Sequence, residues 1–291
     1  MKIELSVESC ADIPAGQMRA MNIHCVPMPY IINGSPVLKI FDDIEEYYDF
    51  YELLDKGETP TSAQINRAEY EEYFNSLVQN TEGDILHFAL SSGLSGSCET
   101  ARVVAEEINK TLEGRKVVIF DSLGATQVIA VIVEKAVEKR AAGATLDEIV
   151  KICEEARDRT QAWITVDDLK HLRRGGRVSG PAAMIGNLLD IKPIIIFNPT
   201  GHLIVAAKVR GQNKAFAHIS AMFGTLGKDV GKLIIVHTGR ASRAAAESLG
   251  QRIKEDHGAE YEIRNVGPVI GLHLGPNAIA ALYVGEKRVD A

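Results

Sequence analysis

The sequence predicts an α/β protein of two domains, and three observations lead to this prediction. Apolar runs of strand length alternate with stretches of helical periodicity through the first half of the chain, as in parallel sheets with helices on their faces. After about residue 160 short strands follow one another more closely, and the turn 198–201 suits an antiparallel hairpin. Finally, 46% hydrophobic and 24% charged residues in a chain of 291 are ordinary for globular domains.

We therefore expect a domain over residues 1–160, built as a three-layer parallel sheet with flanking helices, and a mixed-sheet α/β domain over residues 161–291. In the first domain the predicted strands are 1–7, 85–90 and 116–120, and the predicted helices are 67–77, 100–108, 126–141 and 146–156. In the second domain the predicted strands are 191–197, 203–209, 233–237 and 279–284, with an Ala-rich helix over 242–253.

Composition excludes several classes of protein. The 32 Lys and Arg against 39 Asp and Glu give a net charge of −7, which argues against a general polyanion binder. No apolar run approaches the roughly 20 residues that a membrane-spanning helix needs, and the first residues resemble a strand more than a signal peptide, so we expect a cytoplasmic protein. The 4 cysteines show no C-x-x-C spacing, and we expect neither a metal site nor a disulfide framework.

The segment Ser91–Ser97 places four hydroxyls and two glycines between a predicted buried strand and a predicted helix. Free N–H groups at a helix start favour a carboxylate or phosphate, and hydroxyls add further donors. Simple capping by Ser95 or Ser97 accounts for one hydroxyl and stays an alternative. A second alternative is a degenerate G-x-S-x-G nucleophile elbow, with Ser97 in place of the last Gly, which predicts a serine hydrolase or esterase using Ser95 and His273.

Three further segments hold candidate binding residues. The hydroxyls of Thr61 and Ser62 precede a predicted helix, where they suit either an anion site or a cap. The segment 172–180 concentrates three arginines around two glycines; a guanidinium matches carboxylate and phosphate geometry, and a solvated charged loop is the alternative. Within 267–276, three glycines and two prolines surround His273, and we expect a stiff turn that holds the imidazole.

These segments, in this order, resemble the DegV family of bacterial fatty-acid-binding proteins. The resemblance covers nearly the whole chain and rests on an ordered set of short motifs. They are Glu8–Pro14 (with Glu8 where the family usually has Asp), Phe41–Asp43, Thr61-Ser62, Leu90–Ser97, Asp121-Ser122, Leu172–Ser179, Ile185-Gly186, Ile191–Ile194, Lys208–Arg210 and Gly267–Pro276. Taken one by one the motifs are common, but the ordered set is specific.

The resemblance implies a lipid carrier without catalytic residues of its own, the fatty-acid-binding component of a two-part fatty acid kinase. The acyl chain of a long-chain fatty acid would occupy a tunnel at the domain junction. Its carboxylate would bind to Thr61, Ser62, Ser91, Ser92, Ser95 and His273. Arg177 and His273 would assist transfer when a separate ATP-binding kinase subunit forms the acyl phosphate.

The sequence motifs are consistent with a carrier that depends on a partner protein to bind ATP. The chain has no G-x-x-x-x-G-K-[ST] element, so we expect no cofactor besides the bound fatty acid. A stand-alone phosphotransferase related to dihydroxyacetone kinases is a further alternative, because such kinases share this kind of fold.

Overall fold

The computed structural model of the protein describes residues 2–167, 169–178, 190–227 and 232–288. Some residues used in the sequence analysis lie outside the described residues. They are Met1 of the predicted first strand, and Ser179 and Ile185-Gly186 of the family motifs. The chain divides into two compact units. The first comprises Met1–Asp42 and Ser62–Arg157, and the second comprises Asp43–Thr61 and Asp158–Ala291. The predicted boundary at 160/161 differs from this division in one segment. It places Asp43–Thr61 in the first domain, whereas the structure groups that segment with the second unit.

The first unit is built on a parallel sheet of four strands in the order β2-β1-β6-β7. Its strands are β1 Ile3–Glu8, β2 Ile23–Val26, β6 Asp84–Ala89 and β7 Val117–Asp121; β3 Tyr30–Ile32, β4 Ser35–Val37 and β5 Thr61–Ser62 form a small separate sheet. Every residue of β1 and β6 is buried. Such strands are covered on both faces. Their polar residues are therefore buried together with the apolar ones: Glu4, Ser6, Glu8, Asp84 and His87.

The helices of the first unit are α1 Ala15–Ala20, α3 Arg67–Asn80, α4 Ser97–Asn109, α5 Gln127–Ala141 and α6 Leu146–Arg159, with a short 3₁₀ turn over Ser9–Ala11. Side-chain caps mark the starts of two of them, α3 and α6. Helix α3 starts with a capping box between Asn66 and Glu69. Thr145, the residue before α6, bonds reciprocally with Glu148: its N–H donates to Glu148 Oε2 at 2.8 Å and its Oγ1 accepts from the Glu148 N–H at 3.4 Å.

The second unit is built on a mixed sheet in the order β10-β9-β8-β13-β11-β12. Its strands are β8 Thr160–Thr165, β9 Ile191–Phe197, β10 Leu203–Arg210, β11 Leu233–His237, β12 Tyr261–Asn265 and β13 Ile279–Val284. The strands β9 and β10 form the antiparallel hairpin predicted from the 198–201 turn, whereas β11 and β12 are parallel. The predicted α/β fold, with a parallel sheet followed by a mixed sheet, is confirmed.

The helices of the second unit are α2 Ile44–Asp55, α7 Lys170–Arg174, α8 Gln212–Leu226, α9 Arg243–His257 and α10 Pro268–Leu274. They include two, α8 and α9, that pack on the mixed sheet. One core cluster joins Trp163, Ile194 and Ile279 of the sheet to Phe216 of α8 and Leu249 of α9. Within the described ranges, no helix combines the length and the apolar character needed to cross a bilayer.

Candidate functional site

The serine-rich loop connects β6 to α4 in the first unit, and Ser91 shapes it. Ser91 is fully buried, and its carbonyl accepts from the N–H groups of Leu94 and Ser95 at 3.0 and 3.1 Å. Its hydroxyl accepts from the Gly93 N–H at 3.1 Å. The side chain of Ser91 therefore closes the turn.

Ser92 and Ser95 are the loop hydroxyls that reach toward solvent. Ser92 is exposed, and its N–H donates to Asp121 Oδ1 at 3.2 Å, which fixes the loop against the end of β7. Ser95 is half-buried, and its hydroxyl oxygen accepts from the Ser97 N–H at 3.1 Å. The capping alternative therefore describes one role of Ser95. An accepting hydroxyl keeps its own hydrogen for a ligand.

Ser97, the fourth hydroxyl, is bound by a carboxyl of the protein itself. Glu8 is completely buried, and its Oε1 accepts from Ser97 Oγ at 2.9 Å and from the Tyr70 hydroxyl. Its Oε2 accepts from the Leu90 N–H at 3.0 Å and from Cys10 Sγ at 3.4 Å. Burial raises the pKa of Glu8 in spite of these donors.

The role of Glu8 escapes the sequence reasoning, which uses the residue only as part of a family motif. In strand Ile3–Glu8 apolar and polar residues alternate, and this pattern would place Glu8 on an exposed face. The local sequence therefore gives no sign that Glu8 is buried. A carboxyl at that position must be neutralised or hydrogen-bonded when buried. The residues that bond it, Tyr70, Leu90 and Ser97, are distant in sequence.

The predicted hydroxyl pair Thr61-Ser62 is divided between the two units. Ser62 belongs to the first unit and Thr61 to the second. Gln64, two residues after Ser62, lies against the serine-rich loop: a Cβ on Gly96 would approach Gln64 Oε1 to 2.6 Å. Glycine at position 96 therefore lets the 62–64 segment and the serine-rich loop meet within the first unit.

The predicted turn around His273 is wrong, because residues 268–274 form the helix α10. Gly267 is its extended N-cap, Pro268 occupies the first turn, and Gly275 with φ 84° lies at its C-terminal end. The glycines and prolines that suggested a turn are the residues that start and stop a short helix. His273 lies in its last turn.

Close packing fixes α10 and the imidazole within the second unit. A Cβ on Gly175 would lie 2.1 Å from His273 Nδ1, and one on Gly271 would lie 2.1 Å from Tyr51 Oη. That tyrosine hydroxyl donates to the Val266 carbonyl at 2.8 Å. Glycine is therefore required at both positions because a side chain would occupy the space of its neighbour.

The positive charges of Arg177 and Arg174 act on the imidazole of His273. Burial, followed by the charges of Arg177 and Arg174, lowers the pKa of His273 to about 4. The imidazole is consequently neutral at pH 7. The guanidinium of Arg177 donates to the Gly175 carbonyl, next to the imidazole. The structure thus brings His273 and Arg177 together. The sequence analysis expects both residues to assist the same transfer step.

The arginine-rich segment is more structured than the solvated-loop alternative. Lys170–Arg174 form the helix α7, whose Leu172 is buried, and Val178 makes a β-bridge with Leu203.

Among the residues that the structure describes, no group of three His, Cys, Asp or Glu side chains is arranged to hold a metal ion.

Comparison with known proteins gives a match over nearly the whole chain. The sequence model of the DegV family, described as an uncharacterised protein family, matches residues 2–286. A DegV domain-containing protein from Listeria monocytogenes is 32% identical over 287 residues, which are 97% of this chain and 98% of the relative. These matches confirm the resemblance that the ordered motifs predict.

Solved structures of similar proteins share the fold. A fatty acid binding DegV family protein from Streptococcus agalactiae is 27% identical, with a TM-score of 0.84 over 99% of this chain and 100% of the other. DegV from Bacillus subtilis, a fatty acid binding protein, is 26% identical, with a TM-score of 0.82 over 98% and 100% of the two chains.

Proposed function

Because the chain belongs to the DegV family, we propose that it binds a long-chain fatty acid and presents the carboxylate to a separate ATP-binding kinase subunit, which forms the acyl phosphate. The observation that carries fatty acid binding is the similarity, over whole chains and in fold, to two fatty acid binding proteins. The kinase step is supported by the family resemblance of the sequence motifs. On this proposal the protein is a substrate carrier without turnover of its own.

The proposal assigns the carboxylate to Thr61, Ser62, Ser91, Ser92, Ser95 and His273. Within this set the geometry favours Ser92 and Ser95 as direct donors. Ser92 is exposed, and Ser95 accepts a bond through its oxygen, so each has a hydroxyl hydrogen to donate. Ser91 would act indirectly, since it closes the turn that positions both hydroxyls.

His273 and Arg177 would contribute in different ways. A neutral imidazole can hydrogen-bond a carboxylate without adding charge. The guanidinium carries its charge at every physiological pH, so it would stabilise the negative charge that grows on the phosphoryl group during transfer. The affinity itself would come mainly from the acyl chain, at about 0.8 kcal/mol for each CH₂ removed from water.

Native mass spectrometry of protein purified without detergent tests the core of the proposal. We expect a bound mass in the fatty acid range, and we expect delipidated protein to recover binding of a long-chain acid in calorimetry. Absence of both a co-purified acid and recovered binding would overturn the proposal.

Two substitutions locate the carboxylate. Ser92→Ala and Thr61→Ala are each expected to weaken fatty acid binding by about 1–3 kcal/mol, because a charged acceptor loses a donor. Ser76→Ala, at an exposed position of α3, is the matched control and should leave affinity unchanged. If calorimetry finds Ser92→Ala and Thr61→Ala indistinguishable from Ser76→Ala, the carboxylate lies elsewhere.

Arg177→Ala separates transfer from binding. With the kinase subunit and ATP present, acyl phosphate formation is expected to fall about tenfold or more, while fatty acid affinity changes little. Arg243→Ala is the control, since Arg243 is paired with Glu247 on the surface of α9. Equal losses of transfer and binding in Arg177→Ala would contradict the assigned role.

A serine-directed fluorophosphonate tests the hydrolase alternative. We expect no labelling, because the Ser95 oxygen accepts the Ser97 N–H as a cap. Stoichiometric labelling that disappears in Ser95→Ala would instead support a hydrolase.

A further inference from the structure

A small pocket in the second unit lies at the end of β8, beside the first turns of α8 and α9. Its volume is about 180 Å³, and its polar lining includes Thr165, Asp167, Lys192, Gln212, Ser242 and Asn277. We propose that this pocket binds a compact oxyanion of the phosphate class, either inorganic phosphate or a small phosphate monoester. This ligand is separate from the fatty acid.

The first observation is the buried hydroxyl of Thr165. Thr165 pairs across the sheet with Ile194 and Ile279, and both isoleucines belong to the core cluster under α8 and α9. Directly opposed residues point to the same face of a sheet, so Thr165 also faces these helices. Its Oγ1 is buried and has no hydrogen-bond partner among the described residues, although the residue is only 5% exposed. Buried hydroxyls are normally bonded, and this one lines the pocket.

Lys192 supplies a cation on the same face. It precedes Ile194 by two positions on β9, and side chains two apart along a strand share a face. Its side chain is 19% exposed and its Nζ lies 2.7 Å from Asp167 Oδ1. The Asp167 side chain is 56% exposed and, like Lys192, lines the pocket, so the ammonium is already paired with a carboxylate there. An anion in the pocket would share this ammonium with Asp167.

Two helix starts complete the set of donors. The N-cap residues of α8 and α9, Gly211 and Ser242, make no side-chain cap bond to their helices. The Ser242 hydroxyl turns back and donates to the Thr238 carbonyl. Neither N-cap side chain therefore accepts a first-turn N–H, and each helix start carries about half a positive charge. At α9 the Arg243 N–H donates to the Arg240 carbonyl at 3.2 Å. At α8 the Asp190 carboxylate lies 3.3 Å from the position of a Cβ on Gly211. Gln212 of α8 and Ala245 of α9 both line the pocket.

The size and polarity of the pocket select the ligand. A volume of about 180 Å³ equals about six waters at about 30 Å³ each, and it is below the roughly 300 Å³ at which pockets for drug-sized ligands begin. An extended acyl chain does not fit. The Asp167 carboxylate in the lining is paired with the Lys192 ammonium. The remaining groups, a hydroxyl and two positive helix ends, favour an anion over a metal cation. Donors that approach from the sheet and from two helices suit a tetrahedral anion with several acceptor oxygens.

Titration calorimetry of the full-length protein tests the proposal. The probes are inorganic phosphate, glycerol 3-phosphate and sodium chloride at matched ionic strength. We expect saturable binding of phosphate, of the monoester or of both, and none of chloride. Preference for the monoester identifies a metabolite site, and equal or stronger binding of inorganic phosphate identifies a free phosphate site.

Four variants connect the binding to the pocket. Thr165→Val and Lys192→Gln are each expected to weaken phosphate binding at least about tenfold, whereas Thr165→Ser keeps the hydroxyl and should retain binding. Lys254→Gln makes the same charge change as Lys192→Gln near the far end of α9, where Lys254 pairs with Glu260, and should also retain binding. Circular dichroism verifies that each variant is folded.

Three results would overturn the proposal. They are the absence of saturable binding of both phosphate probes, equal weakening by Lys254→Gln and Lys192→Gln, and wild-type affinity in Thr165→Val. Fatty acid binding is measured on the same samples and should be unchanged in Lys192→Gln. Parallel loss of both ligands would assign Lys192 to the lipid site instead.

Discussion

The serine-rich loop of the first unit and helix α10 of the second unit each hold one titratable group by different means: the loop holds the buried Glu8, and α10 carries the half-buried His273. Burial raises the pKa of Glu8 next to the loop and lowers the pKa of His273, so desolvation pushes each group toward its neutral form. Glu8 is held by hydrogen bonds from Ser97, Tyr70 and Leu90. His273 is held by steric contact with the Gly175 backbone.

This difference predicts how each cluster responds to substitution. A hydrogen-bonded cluster leaves several buried donors without a partner when its shared acceptor is removed, and each such donor is costly. A packed cluster responds mainly to added volume, because its atoms already touch. We therefore expect the largest losses from truncation at Glu8 and smaller losses from enlargement at Gly175.

Glu8→Ala is expected to have the largest effect. The change removes the shared acceptor of four buried donors, which are Ser97, Tyr70, Leu90 and Cys10. The Ser97 and Tyr70 hydroxyls still bond each other at 2.8 Å. At about 1–3 kcal/mol for each unpartnered donor, and with some relaxation, we expect the free energy of unfolding to fall by about 3–5 kcal/mol. Urea denaturation measures the loss.

Glu8→Gln is the matched control for that loss. A glutamine can place its amide oxygen toward the Leu90 N–H and its NH₂ toward the two hydroxyls, which can rotate to accept. Its loss should be well below that of Glu8→Ala. Equal losses in the two variants would show that volume, and not hydrogen bonding, holds the cluster.

Gly175→Ala is expected to have the next largest effect. The new methyl would lie 2.1 Å from His273 Nδ1, so the imidazole must move, at about 1–3 kcal/mol of stability. The backbone of Gly175 has φ −75° and ψ −12°, which alanine adopts easily, so any loss is steric.

A double-mutant cycle supplies the control for Gly175→Ala. In a His273→Ala background the obstructing ring is absent, and Gly175→Ala should then cause little further loss. A loss that persists in that background would contradict the steric explanation.

The pH dependence of stability gives a smaller effect at Glu8. Because the folded pKa is raised above the ordinary 4.5, the folded state binds the proton more tightly than the unfolded chain does. The contribution of Glu8 to stability therefore falls as pH rises from about 4.5 through the folded pKa. Relative to Glu8→Gln, the wild type should lose stability as the pH rises above about 4.5, as measured by urea denaturation. A constant difference would contradict the raised pKa.

The two regions also show how far sequence reasoning reaches. Strands 191–197, 233–237 and 279–284 are observed with the predicted bounds, because each is a run of mainly apolar residues between polar or turn-forming ones. The strand β6 and the helix α4 confirm the predicted setting of the serine-rich loop. Local pattern is sufficient for such elements.

Non-local contacts are where the prediction fails. The helix α10 is missed because Gly271, a glycine inside the helix, is fitted to the Tyr51 hydroxyl. That hydroxyl bonds Val266 across 215 residues of sequence. The role of Glu8 is missed because its partners lie 62 and 89 residues further along the chain. Contacts between residues so far apart leave no periodic pattern in the sequence. Site residues that depend on such contacts can therefore be identified only from the structure.

The smallest expected effect is a change in the pKa of His273 in Arg177→Gln. Burial is the largest cause of the lowered pKa and the charge of Arg177 is the next, so removing that charge should raise the pKa only partway from about 4 toward 6.5. Titration of the imidazole carbon resonance by NMR measures the shift, and Arg243→Gln on α9 should leave it unchanged. A full return to 6.5 would mean that the charge, and not burial, keeps His273 neutral. An unchanged pKa of His273 would show that the charge of Arg177 does not act on the imidazole. The comparison with Glu8 would then rest on burial alone.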